Sequence, residues 1–275
     1  MQTVNSASRG ESGQAAVESA LVVPLMVFLI LGTLQLTTLH HARLMTEYAA
    51  YRAARTGIVN HGDCETMKSA AYMALAPTLG PPESGGRGRT DTLLNAMEVH
   101  DAYTIGTHWQ QNQRFPGSTL ERVRVEVLNP RAGPYSSLFA SYGSHLGGRE
   151  IDFDDYRDAT VVAANLLSVR VTYFYELRIP FANWQLHTFY MGREALGQLE
   201  GVTFLTQRAP GGGSASQYLE AEGARRAKSY FKELARLAGA QTYAIPVVAT
   251  STMRMQSNLI RGDQGRGPVS CAVDG

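Results

Sequence analysis

The apolar positions fall into one continuous block and several periodic ones. The block runs from Gly13 to Leu39, GQAAVESALVVPLMVFLILGTLQLTTL, and is densest between Leu21 and Leu34. From Leu21 to Leu39 is about 19 residues, or about 28 Å of helix, close to the hydrocarbon thickness of a bilayer. A span there must be helical, because lipid offers no partners to backbone N–H and C=O groups. Pro24 removes one helical donor and predicts a kink or a freed carbonyl at Ala20. One acid, Glu18, stands at the start of the block. A carboxylate below the headgroups is costly unless a cation meets it.

Beyond Leu39 the chain stays rich in helix formers up to Arg55. Leu44, Tyr48 and Tyr51 recur at helical spacing, as do Tyr51 and Arg55, and Gly57 reads as a stop. One helix from Ala15 to Thr56 would be about 60 Å long. Cys64 to Leu79 reads as a second helix with Met67, Ala71, Ala74 and Leu75 on one side, ended by Pro77 or kinked by it near its end. Residues 80–92 read as a loop, and Leu93–Trp109 as a short helix at most.

Residues 121–128, ERVRVEVL, alternate strictly and predict a half-exposed strand, followed by a turn at 129–134 and irregular chain over 135–150. Asp154–Leu167 reads as a helix with an acidic start suited to the helix dipole. Ser168–Ile179 predicts a second strand, with Phe174 breaking its polar face. The stretch around Trp184, Phe189, Tyr190 and Met191 reads either as core or as an apolar lip at the membrane or a neighbouring subunit, core being the simpler reading. Residues 209–215 read as a flexible loop, Ser216–Ala238 as an amphipathic helix ended by Gly239, and Tyr243–Gln256 as a third strand with Pro246 at its start or edge. The sum is an α+β protein: a long N-terminal helix leading into a domain with an antiparallel sheet of at least three strands and helical insertions.

Composition narrows the function. Of 275 residues, 44% are hydrophobic and 18% charged, which is ordinary for a folded chain. The formal net charge is +1, against the basic surplus of a nucleic-acid binder. The chain has two cysteines, Cys64 and Cys271. In an oxidising compartment they can pair, closing a loop of about 200 residues, or remain two unrelated thiols.

No catalytic signature stands in the sequence: no G-x-x-x-x-G-K-[ST], H-E-x-x-H, G-x-S-x-G or C-x-x-C. Gly211-Gly212-Gly213-Ser214 lacks a following lysine and reads as a linker. Asp152, Asp154, Asp155 and Asp158 lack the tighter spacing and turn glycine of a calcium loop. His40 and His41 point to different faces, and His100 with Asp101, His108 and Trp109 reads as surface. The expectation is therefore no catalytic residues, no metal and no cofactor.

Gly13, then Gln14-Ala15-Ala16-Val17-Glu18 and an apolar helix, resembles the processing site of type IV prepilins. The wording GQAAVESALVVPLM is most similar to the TadE/TadG-like pseudopilins of tight-adherence (Tad/Flp) pilus systems. A later stretch, Ala164–Tyr173 through to Phe181, also resembles that family's ectodomain. The resemblance implies that a membrane-embedded prepilin peptidase cuts between Gly13 and Gln14. Glu18, at the fifth mature position, then meets the N-terminal amine of an adjacent subunit. Cleavage after Gly10 would put Ala15 there instead. Val17, Leu21, Pro24, Leu25 and Phe28 would belong to the helix seam of subunit assembly.

The implied organisation is a leader at 1–13, a transmembrane helix at 14–39 and an extracytoplasmic pilin-like domain at 40–275. The implied partners are the membrane, the prepilin peptidase, other pilin and pseudopilin subunits and the pilus assembly platform, with no nucleic acid. The implied place is the inner membrane, with the ectodomain periplasmic or carried into an extracellular filament. Charge does not set this orientation, since Arg9 alone precedes the span while Arg43, Arg52 and Arg55 follow it. The ectodomain is larger than most of its kind, which fits a minor component better than a main one. The competing readings are an uncleaved envelope adaptor that binds a partner through Trp184–Met191, and a membrane-anchored periplasmic enzyme.

Overall fold

Helix α1 (Glu11–Val59) is 49 residues long and is the axis of the structure, a computed structural model that describes residues 11–79, 92–105, 109–142, 148–204, 230–261 and 268–271. The chain reverses over 60–62, where His61 and Gly62 take positive φ (56° and 72°). Helix α2 (Cys64–Leu75) then packs back along α1, capped by Asp63, whose carboxylate accepts from the Thr66 N–H at 3.1 Å. It ends at Leu75, four residues before the predicted Leu79, so Pro77 lies beyond the helix and does not kink it. Gly57 is not the stop that its residue type suggests. The helix continues through it to Val59, and a side chain there would meet Leu167 Cδ2 and Met67 Sδ at 2.6 Å. The glycine serves close approach, and the turn begins three residues later.

Helices α3 (Thr92–Thr104) and α4 (Trp109–Asn112) follow, tied by Asn112 Nδ2 donating to Ala102 O at 2.9 Å. Tyr103 stacks on Tyr72 of α2 at 5.9 Å between ring centroids. Strand β1 (Val123–Asn129) opens the sheet. Helix α5 (Ala132–Tyr142) occupies a stretch that the sequence reads as a turn and irregular chain. Its apolar pair Leu138 and Phe139 is buried against the rest of the core, and that tertiary burial outweighs the Gly and Pro near its start.

The predicted helix at Asp154–Leu167 is also corrected. Residues 152–158 form turns, α6 (Ala159–Ala164) is six residues long, and Leu166 already belongs to a strand. The acidic residues accept from nearby backbone N–H groups, and the helix starts at the last of them, Asp158, rather than at Asp154. Asp152 Oδ1 accepts from Asp154 N at 3.0 Å, and Asp158 Oδ1 accepts from Thr160 N at 2.8 Å, the latter capping α6. A two-residue strand β2 (Glu150–Ile151) lies just before them.

Strand β3 (Leu166–Glu176) is central, flanked antiparallel by β1 and by β4 (Ala244–Arg254). The register pairs Val125 with Val171 and Val171 with Ala249. Pro246 sits on the edge strand β4, where a missing ladder donor is tolerated. The odd-numbered residues of β1 and β3, Val123, Val125, Val127, Leu167, Val169, Val171, Tyr173 and Tyr175, face the main core. Opposite them α1 presents Ala42, Ala49, Ala50, Ala53 and Ala54, small enough to let the helix lie close on the sheet. Leu44, Tyr48 and Tyr51, which the spacing places on one stripe, are the exposed side of α1.

Phe174 does break the polar face of β3. It is covered by a second, smaller core made with Phe115, Leu120 and, from helix α8 (230–239), Leu234 and Leu237. Helix α7 (Ala182–Phe204) lies between β3 and α8 in the chain. Strand β5 (Leu259–Ile260) pairs with β2, and a 3-10 turn at Pro268–Cys271 brings Cys271 to Cys64. The two cysteines form a disulfide with a Cα–Cα distance of 5.6 Å, tying the C-terminal segment to the start of α2.

The expected loops at 80–92 and 209–215, most of the leader, the first part of the Ser216–Ala238 helix and His108 lie outside the described residues, save Thr92, which opens α3.

Candidate membrane and assembly surface

The first part of α1 stands free of the domain. From Ala15 to Ile30 every side chain is exposed, although most are apolar. Val17, Leu21, Leu25 and Phe28 are spaced by four, four and three residues, so they form one stripe, and all four are exposed. Glu18 lies one turn before Leu21 and Val22, at the border of that stripe. Gly13 and Gln14 stand in the first turn of the same helix, which begins two residues before Gly13. Pro24 is inside the helix, where the carbonyl of Ala20 loses its usual donor. The hydroxyls farther along are satisfied internally: Thr33 Oγ1 donates to Leu29 O at 2.8 Å and Thr37 Oγ1 to Thr33 O at 2.9 Å. The segment is long and apolar enough to cross a bilayer, and it leaves few polar groups for lipid to accommodate.

Gln35 ends this free segment. It is the first fully buried residue of α1, and its Oε1 accepts the Ile179 N–H at 2.9 Å. Its Nε2 donates to Thr38 Oγ1 at 3.3 Å. Sequence reasoning passed over Gln35, yet a lone amide at the end of an apolar run was a legible signal for a buried partner. From here α1 is half covered. At its far end Gly57 lies against Leu167, the second residue of β3. Ile179 lies just past the other end of β3, so β3 runs antiparallel to α1. The C-terminal end of β3 and the start of α7 therefore face the free segment, and the disulfide lies at the opposite end.

The aromatic stretch at the start of α7 is not a core element in the simple sense. His187 is buried and Leu186, Tyr190 and Met191 are partly covered, but Trp184 and Phe189 are exposed. A helix shows one side to the core, and these two rings lie off that side. His187 Nδ1 donates to Ala244 O at 3.0 Å, and burial pushes its pKa below the ordinary histidine value.

The acidic cluster is used structurally. Asp155 is buried, accepts from Tyr142 Oη at 2.9 Å and pairs with Arg157 Nη2 at 2.7 Å. Hydrogen bonds from Arg157 hold its carboxyl far below the usual carboxylate range. His100 is taken up by local contacts, with Nδ1 3.3 Å from Asp101 Oδ1 and Nε2 3.4 Å from Ser69 Oγ. Among the described residues, no group of three His, Cys, Asp or Glu side chains is placed to hold a metal ion. An open cleft of about 370 Å³ lies near the far end of the sheet, between the end of β1, α5 and α6. Arg131 is its one charged lining residue among the described residues.

These features define an α+β protein in which, among the described residues, one helix is long and apolar enough to cross a bilayer, and a helix of this kind suggests membrane anchoring. Residues 13–55 are similar to the family model described as TadE-like protein. The match lies wholly within α1 and takes in none of the sheet. No curated protein and no solved structure matches the chain.

Proposed function

We propose that this protein is a minor pilin-like subunit, a pseudopilin, that serves as a structural component or assembly factor of a Tad/Flp-type pilus or related secretion filament. The observation that carries the reading is the two-part character of α1 within the TadE-like match. Its first part offers an exposed apolar stripe bordered by Glu18, and its second part is the spine of a folded domain. In this reading the inner membrane holds Gln14–Leu39 and the domain from His40 onward is periplasmic. A prepilin peptidase removes residues 1–13. The new amine of Gln14 meets Glu18 of a neighbouring subunit, while Val17, Leu21, Leu25 and Phe28 pack against neighbouring helices. The work is packing rather than catalysis, without metal or cofactor.

The helix begins before Gly13, so a peptidase can reach the Gly13–Gln14 bond only after the first turn opens. Glycine disfavours helix and helix ends fray, which suits that position to cleavage. N-terminal sequencing of the mature protein from its native membrane tests the reading. A start at Gln14 is the expected result, and a retained leader overturns processing and leaves an uncleaved anchor.

A further inference from the structure

We propose that Phe181 and Trp184 form an aromatic lip that sits in the headgroup region of the bilayer α1 crosses, giving the domain a second contact with the membrane. The proposal rests on the anchoring reading of α1, and it adds that the domain leans on the lipid surface.

Height along α1 is the first argument. The membrane-held stretch Gln14–Leu39 is about 26 residues and about 39 Å of helix, enough for the hydrocarbon core with headgroup layers, so Gln35, four residues from its end, lies at the headgroup level. Ile179 is bound to Gln35 at 2.9 Å and shares that level. Phe181 follows two residues later, within about 7 Å of Ile179 at full chain extension. Trp184 lies in the first turn of α7.

Exposure is the second. Phe181 is 72% exposed and Trp184 55%, while Leu177 and Ala182 beside them are buried. Leu36, on α1 at the same level, is also exposed. Residues 177–185, LRIPFANWQ, contain no carboxylate that would resist dehydration. Arg178 is exposed, with its Nη2 3.4 Å from Thr78 O, at the level where lipid phosphates lie. Tryptophan favours this zone because its ring is apolar and its indole N–H still reaches polar partners.

Backbone strain is the third. Phe181 has φ of 65°, a left-handed conformation that bulky side chains avoid. The turn that holds it is closed by Ala182 N–H donating to Pro180 O at 2.8 Å and Asn183 N–H to Ile179 O at 2.9 Å. The result is a ring turned out of the domain where an ordinary turn would place a glycine. A neighbouring subunit is the competing occupant. Lipid is the better fit because the Gln35 bond sets the lip's height against the bilayer.

The test uses the full chain in phosphatidylcholine/phosphatidylglycerol vesicles. The protein has two tryptophans, so Trp109→Phe leaves Trp184 as the only one. Lipid brominated at shallow acyl positions is expected to reduce its emission about twofold, and lipid brominated near the chain ends to reduce it less. The difference between wild type and Trp184→Phe gives the same reading without touching Trp109. A third variant, Leu25→Trp with Trp109→Phe and Trp184→Phe, reports on the span itself and should be quenched by deep bromines. If that variant is quenched and Trp184 is not, the anchor stands and the lip is overturned, leaving a protein partner as its occupant. If neither is quenched, the anchoring reading falls and takes the lip with it.

Discussion

The side-chain carbonyl of Gln35 accepts the backbone N–H of Ile179 at 2.9 Å, and this bond marks where α1 stops being free and becomes part of a domain. Replacing Gln35 with alanine leaves the Ile179 N–H without its acceptor, at a cost of about 1–3 kcal/mol. The expected outcome for Gln35→Ala is a lower melting temperature in detergent and faster hydrogen exchange at Ile179. Unchanged values for both would show that the domain does not depend on this tie.

Glu18 borders a stripe that carries no other charge. Removing it eases membrane insertion, because a carboxylate is costly in lipid. Glu18→Ala is therefore expected to accumulate normally in the membrane fraction while its incorporation into filaments falls by about tenfold, the scale of one charge-assisted hydrogen bond. Quantitative immunoblots of sheared filaments against membranes give the ratio. Wild-type incorporation would remove Glu18 from the assembly mechanism.

Gly57 lets α1 approach β3. A side chain there would meet Leu167 Cδ2 and Met67 Sδ at 2.6 Å, and both residues are fully buried. Gly57→Val should destabilise the domain by about 1–3 kcal/mol through overpacking. Chemical denaturation of the detergent-solubilised protein measures it. A gain in stability, as expected for replacing a merely unfavourable helix glycine, would contradict the packing role.

Asp155 gives the fold an acid-sensitive point. Hydrogen bonds from Arg157, and a further one from Tyr142, lower its pKa in the folded state. A group with a depressed folded pKa stabilises the fold above its unfolded value, and that stabilisation is lost as pH falls through the folded value. The loss should therefore begin near about pH 4, the unfolded aspartate value, and grow below it. In Asp155→Asn the melting temperature at pH 7 should be lower, and its drop between pH 7 and pH 3 smaller, than in the wild type. An identical drop in both proteins would mean that other carboxylates carry the acid sensitivity.

Much of this protein is determined by local pattern. The apolar block from Leu21 to Leu39 needs no partner to be recognised, since its length and lack of charge answer to bilayer thickness alone. The alternation at Val123–Val127 and Val169–Tyr175 declares strands, because a half-buried sheet imposes a period of two. Pro246 on an edge and Pro77 past a helix follow from one missing N–H. The family match over residues 13–55 includes the wording GQAAVESALVVPLM.

Other features required the folded chain, because they depend on what a residue meets across space. Gly57 reads as a helix stop until Leu167 is seen against it. The acidic run reads as a helix start from Asp154 until Asp152 and Asp155 are seen closing turns and the helix is seen to begin only after Asp158. Leu44, Tyr48 and Tyr51 share a stripe by spacing, but the face that α1 buries is the alanine one, since only small side chains let a helix lie that close to a sheet. The disulfide between Cys64 and Cys271 joins residues 207 apart, a separation no periodicity reports. The level at which the domain meets its anchor, at Gln35, belongs to the same class, because it depends on an amide finding a backbone N–H at the far end of β3.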